Sequence, residues 1–435
     1  MPTRKTGRRI QLGKKFNTVL FLGAAAVVFA GASSFVPSEW NVEAAPQTQE
    51  KSETVIPKKP SAVHLPTPEP LRAIYMSQCV VGTPSFRSDL VSLIDSTSLN
   101  AVVIDIKDYS GTIGFPTSDP MFEAASLEGC GATDMKAFIE TLHEKGIYVI
   151  GRITVFQDPF YTKQFPDQAV QSIARPGEPW EDYKGLSFVD VSSREFWDYI
   201  VTLSKEAYDI GFDELNYDYI RYPSDGPMKD AQYINNNKAE ALESFFKYLH
   251  TQLEPVGVAM SADLFGYTTV LTDDLGIGQQ LERALPYFDY IAPMVYPSHY
   301  NKGFVGLPNP NNDPYKVVYA SMSEAVRRAL SNETPVKTLS SSVLYREEVV
   351  PATDSAATTT VKVATGYYTK PVYSKLKLRP WLQDFDYGKE YLPEDVRAQI
   401  QATYDAGLTS WFFWDPANRY DSLREYLKSA TSTPQ

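Results

Sequence analysis

The chain has 435 residues, 43% of them hydrophobic and 22% charged, a globular composition that excludes disorder throughout and leaves length for one barrel-sized domain with additions. Lysine and arginine total 41 against 53 aspartates and glutamates, a formal net charge of -12. With no long basic block in the body of the chain, nucleic acid is excluded as the expected partner.

Arg4, Lys5, Arg8, Arg9, Lys14 and Lys15 place six positive charges and no negative one in the first fifteen residues, and an uncharged stretch follows from Asn17 to Val36. A basic segment ahead of an apolar one is the layout of an export signal, so residues 1–36 read as a signal peptide or membrane anchor. Ala30-Gly31-Ala32 has the small-residue form of a cleavage site, while about 20 apolar residues also suffice to span a bilayer uncleaved. Arg8-Arg9 fits a twin-arginine signal poorly at Gln11 and Gly13. Either way the body is expected outside the cytoplasm, secreted or membrane-anchored. Residues 37–70 hold seven prolines and no glycine, too little apolar surface for a core, and read as an extended tether. The folded unit is expected over 71–430. Its two cysteines, Cys79 and Cys130, are open to two readings, a pair or two separate buried thiols.

Short apolar or β-branched runs then recur, most of them separated by segments of helical period. They predict strands at Arg72–Ser77, Ala101–Lys107, Ile147–Thr154, Phe212–Ile220, Val256–Asp263, Phe288–Tyr296, Leu378–Asp384 and Thr409–Asp415. Three helical stretches end at a glycine with a strand beginning at once, at Gly146, Gly211 and Gly407, the mark of a tight helix-to-strand turn. Ser192 and Glu195 have the spacing of a capping box before Phe196, Ile200, Leu203 and Ala207. Eight strands alternating with helices predict an α/β fold, a (β/α)₈ TIM barrel with long loop insertions, somewhat above the typical ~250 residues. The alternative is a doubly wound open sheet, against which no glycine-rich phosphate loop follows any strand. Residues 335–375, between strands six and seven, are expected to form a long loop or hairpin over one rim.

Buried parallel strands should be almost uniformly apolar, and strand four is not. Its alternation sets Glu214, Asn216 and Asp218 on one face and Leu215, Tyr217 and Tyr219 on the other. In a barrel the first face lines the lumen, where carboxylates need water, partners or substrate; an antiparallel, half-exposed strand is the plain alternative. Other strands also finish in polar or aromatic groups: Asp105 and Lys107, Arg152, Asp263, Tyr296 and His299, Trp381 with Gln383 and Asp384, Trp414 and Asp415. Catalytic groups of such barrels come from the C-terminal ends of several strands. Asp105 and Lys107 share a face, either as a buried ion pair or as participants. Arg152 is expected to hold Asp218 ionised or to bind a substrate carboxylate. His299 is a loop histidine or a substrate contact, Asp415 before Pro416 a turn or a contact, and Trp381, Trp411 and Trp414 are core or flat platforms for a sugar.

Glycoside hydrolysis suits this layout because it needs two carboxyl groups flanking the scissile bond, one ionised and one protonated. Asp218 and Asp263 end adjacent strands and can converge on one substrate. With three histidines past the tether and no His-Glu-x-x-His, a histidine-rich zinc site is not expected, and no cofactor or metal is assigned.

The segments 103–108 (VIDIKD), 211–223 (GFDELNYDYIRYP), 261–266 (SADLFG), 292–300 (APMVYPSHY) and 379–385 (RPWLQDF) together resemble the putative glycoside hydrolase domain family, over nearly all of residues 71–425. The resemblance implies a TIM barrel, action on a polysaccharide and export. Carried over by position, it implies Asp218 as nucleophile, Asp263 as general acid/base and Asp384 as an acidic helper. The departure is at strand five, where relatives present Glu and this chain presents the shorter Asp263. The expected substrate is an extracellular or cell-wall polysaccharide or oligosaccharide, surrounded by Asp105, Lys107, Arg152, Glu214, Asn216, Tyr296, His299, Trp381, Gln383, Trp414 and Asp415. Two rival functions share these residues: a non-catalytic glycan-binding barrel, and a metal-dependent hydrolase using the same aspartates.

Overall fold

The computed structural model describes residues 62–351 and 358–431. The expected signal or anchor and most of the tether lie outside the described residues. Eight parallel strands close into a barrel in sequence order: β1 Arg72–Met76, β2 Ala101–Lys107, β3 Tyr148–Thr154, β4 Glu214–Asp218, β5 Ala259–Phe265, β6 Tyr290–Met294, β7 Trp381–Gln383 and β8 Trp411–Trp414. β8 pairs back onto β1 with Arg72 opposite Trp411. A helix follows each strand: α1 Pro84–Asp95, α2 Met135–Glu144, α3 Arg194–Ile210, α4 Lys238–Leu253, α5 Leu281–Ala284, α6 Pro314–Leu330, α7 Pro393–Asp405 and α8 Asp421–Thr431. This is the (β/α)₈ TIM barrel. Among the described residues no helix is long and apolar enough to cross a membrane.

α3 illustrates why these segments are helical. Phe196, Ile200, Leu203 and Ala207 fall on one stripe and are fully buried against the barrel, the larger side chains contributing about 1.5–3 kcal/mol each. The expected capping box is corrected by one residue. Ser193, not Ser192, is the N-cap and accepts the Phe196 N–H, so the Ser192/Glu195 register does not cap the helix. At the other end Gly211, with φ +126, turns the chain into β4 through a conformation that a side chain would strain.

The core has two layers. One lies between strands and helices. The other fills the lumen with Ala73, Tyr75, Val103, Ile150, Ala292, Trp381 and Phe412. Within the expected insertion, Val343–Val350 pairs antiparallel with Thr359–Thr369. The pair follows α6 and precedes β7, which puts its attachment at the N-terminal end of the barrel, away from the mouth that the strand C-termini form. At that same end, residues of the expected tether lie against the barrel: Leu65 N–H donates to Asp213 and the Thr67 hydroxyl meets Tyr148. Cys79, just past β1, is disulfide-bonded to Cys130 in the loop after β2, which decides the question left open by the sequence.

Candidate active site

The three polar residues of β4 that face the lumen sit at three depths, and each meets a different partner. Glu214 is deepest, in an ion pair with Arg379 at 3.0 Å. Asn216 is next, donating to Ser261 Oγ at 3.1 Å and to Asp263 Oδ1 at 2.8 Å. Asp218 is at the mouth. Its Oδ2 accepts from Arg152 Nε at 3.2 Å and Nη2 at 2.5 Å, and its Oδ1 accepts the Tyr219 N–H at 2.6 Å. Tyr219 has φ +50, a left-handed conformation costly for a residue with a side chain; the turn it makes starts the loop beyond the carboxylate.

Arg152 reaches Asp105 Oδ1 at 2.7 Å with its other arm. The Tyr75 hydroxyl donates to the second Asp105 oxygen. Burial pushes the Asp105 carboxyl up to about 6 in spite of Arg152. On β5, Asp263 Oδ1 accepts from Asn216 and from Trp381 Nε1 at 2.8 Å. Burial, and after it the neighbouring charge of Asp218, push the Asp263 carboxyl well above the ordinary carboxylate range, outweighing Arg152 and both hydrogen bonds.

Asp218 and Asp263 open into one cavity of about 690 Å³. Its walls are largely aromatic, with Tyr219, Phe265, Tyr267, Tyr296, Tyr300, Trp381 and Trp414, and its polar groups include Arg152, Arg221, Ser224, His299 and Asn301. Trp414 stacks on Tyr75 with centroids 4.0 Å apart, and the Arg152 guanidinium lies 5.1 Å from the Trp414 ring centre. His299 is exposed at the rim, but the surrounding protein desolvates its imidazole and lowers its pKa; Ser298 Oγ lies 2.9 Å from its Nδ1.

Of the residues that the sequence puts around a substrate, Asp218, Asp263, Arg152, Tyr296, His299, Trp381 and Trp414 line this cavity. Asp105 adjoins it through Arg152. The others lie elsewhere. Lys107 does not share a face with Asp105 and is not its ion partner: a register shift sets Asp105 opposite Arg152 but Lys107 opposite Ile153. Lys107 therefore points into the helix layer, where it pairs with Asp158 at 2.9 Å and lies 5.9 Å from the Phe196 ring. Glu214 and Asn216 are sealed beneath the mouth by the partners given above. Gln383 accepts from Ser298 N–H and Oγ, supporting the His299 loop from behind. Asp384 accepts the Leu423 N–H at 3.2 Å at the start of α8. Asp415 accepts the N–H groups of Ala417, Arg419 and Tyr420, so it organises a turn. Trp411 is core.

The sequence set Tyr219 with Leu215 and Tyr217 on the helix side of β4; the structure corrects this, because the strand ends at Asp218 and the left-handed turn at Tyr219 brings its ring to the cavity. Sequence reading passed over Arg221, Phe265, Tyr267, Tyr300 and Asn301. Their one signal is position, since all lie at or shortly after the ends of β4, β5 and β6. Among the described residues no group of three or more His, Cys, Asp or Glu side chains is placed to hold a metal ion.

Comparison with known proteins shows what the chain resembles in sequence and in fold. The chain is similar to a hypothetical protein from Ruminiclostridium thermocellum at 31% identity, covering 47% of this chain and 98% of that one with a TM-score of 0.40. It is similar in fold to the PgaB (BpsB) glycoside hydrolase domain from Bordetella bronchiseptica, at 14% identity, 82% and 99% coverage and a TM-score of 0.53. Alpha-L-fucosidase isoenzyme 2 from Paenibacillus thiaminolyticus has 10% identity, 83% and 49% coverage and a TM-score of 0.53. No curated protein matches in sequence. The family described as "Putative glycosyl hydrolase domain" matches residues 73–339 and 345–420. With most of the barrel so matched, the chain belongs to that glycosyl hydrolase domain family.

Proposed function

We propose that this protein is an exported glycosidase, secreted or membrane-anchored, that cleaves an extracellular or cell-wall polysaccharide using Asp218 and Asp263. The observation that carries this reading is one cavity holding two carboxyl groups in opposite settings. Asp218 accepts three hydrogen bonds, two of them from a guanidinium, the setting of a carboxylate. Burial, and after it the neighbouring charge of Asp218, push the Asp263 carboxyl well above the ordinary carboxylate range, the direction that a proton donor needs.

In this mechanism Asp263 gives its proton to the glycosidic oxygen as the bond to the leaving sugar breaks. Asp218 attacks the anomeric carbon and forms a glycosyl ester. Asp263, now a carboxylate, takes a proton from water, which hydrolyses the ester and restores both groups. Arg152 holds Asp218 in place through two hydrogen bonds, and Trp414 and Tyr296, which line the cavity, are the aromatic rings set to meet a sugar. Export is supported by the basic and then uncharged N-terminal sequence and by the Cys79–Cys130 disulfide, which suits an oxidising compartment.

The test is release of reducing ends from cell-wall polysaccharide preparations by the full chain, with and without EDTA. Parent activity, lost in Asp218→Asn while circular dichroism is unchanged, is expected. Turnover by Asp218→Asn equal to the parent's would overturn the mechanism. Binding of wall fragments without any cleavage would favour a glycan-binding barrel instead.

A further inference from the structure

Four arginines are buried among the described residues: Arg152, Arg221, Arg328 and Arg379. Three of them face carboxylates, Arg152 with Asp105 and Asp218, Arg328 with Glu282, and Arg379 with Glu214. Arg221 does not. It is 8% exposed and lines the cavity, and its Nη1 donates to the Tyr222 carbonyl at 3.0 Å. Its guanidinium carbon lies 4.8 Å from the Tyr219 ring centre and 4.9 Å from that of Phe265.

A cation taken out of water without a counter-ion is costly. Aromatic faces and one carbonyl recover only part of that cost. Asp218, Asp182 and Asp225 attract it electrostatically, but Asp218 is already held by Arg152 and none of the three forms an ion pair with Arg221. Burial accordingly lowers the Arg221 pKa. No other Arg221 nitrogen is among the sealed, unpartnered atoms, so an anionic partner can reach the guanidinium through the cavity, three residues along the chain from Asp218.

We infer that the glycan cleaved here is acidic, and that Arg221 is the specificity-determining residue that pairs with an anionic substituent on a sugar next to the scissile bond. A planar guanidinium fork matches a carboxylate, sulfate or phosphate group through paired N–H donors. This rests on the glycosidase reading and adds to it the class of substrate.

The experiment is calorimetric titration of the full chain, parent and Arg221→Gln, with tetragalacturonate, its neutral methyl ester, a sulfated heparin tetrasaccharide, glucose 6-phosphate and cellotetraose. At least one anionic probe is expected to bind roughly tenfold or more tighter than the neutral ones. That preference should weaken with salt and vanish in Arg221→Gln, with neutral binding little changed; Arg221→Lys, which keeps the charge, should retain part of it. Whichever anion binds identifies the group. Equal affinity for neutral and anionic probes, no binding of any anionic probe at millimolar concentration, or a preference that survives Arg221→Gln each overturns the inference. Because the readout is binding, anion preference without hydrolysis would defeat the glycosidase reading alone. Cleavage of a neutral glycan unaffected by Arg221→Gln would defeat only this one.

Discussion

Arg152 spans two carboxylates, meeting Asp105 at 2.7 Å through Nη1 and Asp218 at 2.5 Å through Nη2, with all three side chains nearly closed to solvent. One guanidinium thus fixes the direction of the carboxyl group at the end of β4. Arg152→Met leaves two buried acidic groups without their cation. It is expected to cost about 3–5 kcal/mol in chemical denaturation, the usual result of removing one partner from a buried pair. Arg152→Met combined with Asp105→Asn should recover part of that loss; if the double variant is less stable by the full sum of the singles, the three groups do not act as a unit.

In the proposed mechanism Asp263 is the general acid, and its ionisation is expected to set the pH dependence of cleavage. As general acid it must hold its proton, so kcat should fall on the alkaline side as Asp263 ionises. Trp381 Nε1 donates to Asp263 Oδ1 and stabilises the charged form, which lowers the pKa. Trp381→Phe removes that donor, and the alkaline limb is expected to move to higher pH. Asp263→Asn should abolish the limb and reduce kcat roughly 10²- to 10⁴-fold on unactivated glycans, with a smaller loss on aryl glycosides whose leaving group needs no proton. A limb unchanged in Asp263→Asn would assign it to another group.

The Cys79–Cys130 bond joins residues 51 apart and restrains the unfolded chain across that span. The double variant Cys79→Ser/Cys130→Ser is expected to lose about 2–4 kcal/mol. Dithiothreitol should lower the melting temperature of the parent and leave that of the double variant unchanged.

Asp384 gives stability a pH dependence of its own. Burial, helped by Asp415, Asp421 and Asp386, pushes its carboxyl up to about 7 against the hydrogen bond from Leu423. The folded state therefore binds this proton more tightly than the unfolded chain does. The resulting stabilisation is complete below the ordinary carboxylate value and is lost as pH rises through about 7. Asp384→Asn keeps an oxygen for Leu423 and removes the charge, so it should stabilise the protein by about 1–2 kcal/mol at pH 8 and by little at pH 4. Melting curves at the two pH values check this; an equal gain at both would trace the effect to packing.

All eight strands were legible because local periodicity and the glycine at the end of a helix are local signals: β2 occupies the predicted Ala101–Lys107 span, and Gly146 and Gly407, both at positive φ, mark predicted junctions. The polar alternation on β4 also pointed correctly to a lumen face. It could not say which of Glu214, Asn216 and Asp218 would be exposed to a ligand, because depth along a barrel axis depends on the registers of the neighbouring strands. Lys107 failed for a related reason: one register shift after Asp105 reversed its face.

The sequence by itself determined the order of elements, the barrel class and the family, all of which follow from patterns spanning a few residues at a time. Tertiary structure decided which charges were satisfied. Glu214 finds Arg379 across 165 residues, and Arg152 finds Asp218 across 66. Arg221 finds no carboxylate partner. Those outcomes depend on barrel closure, which brings distant strands within a few ångströms, where Coulomb energy and desolvation are large.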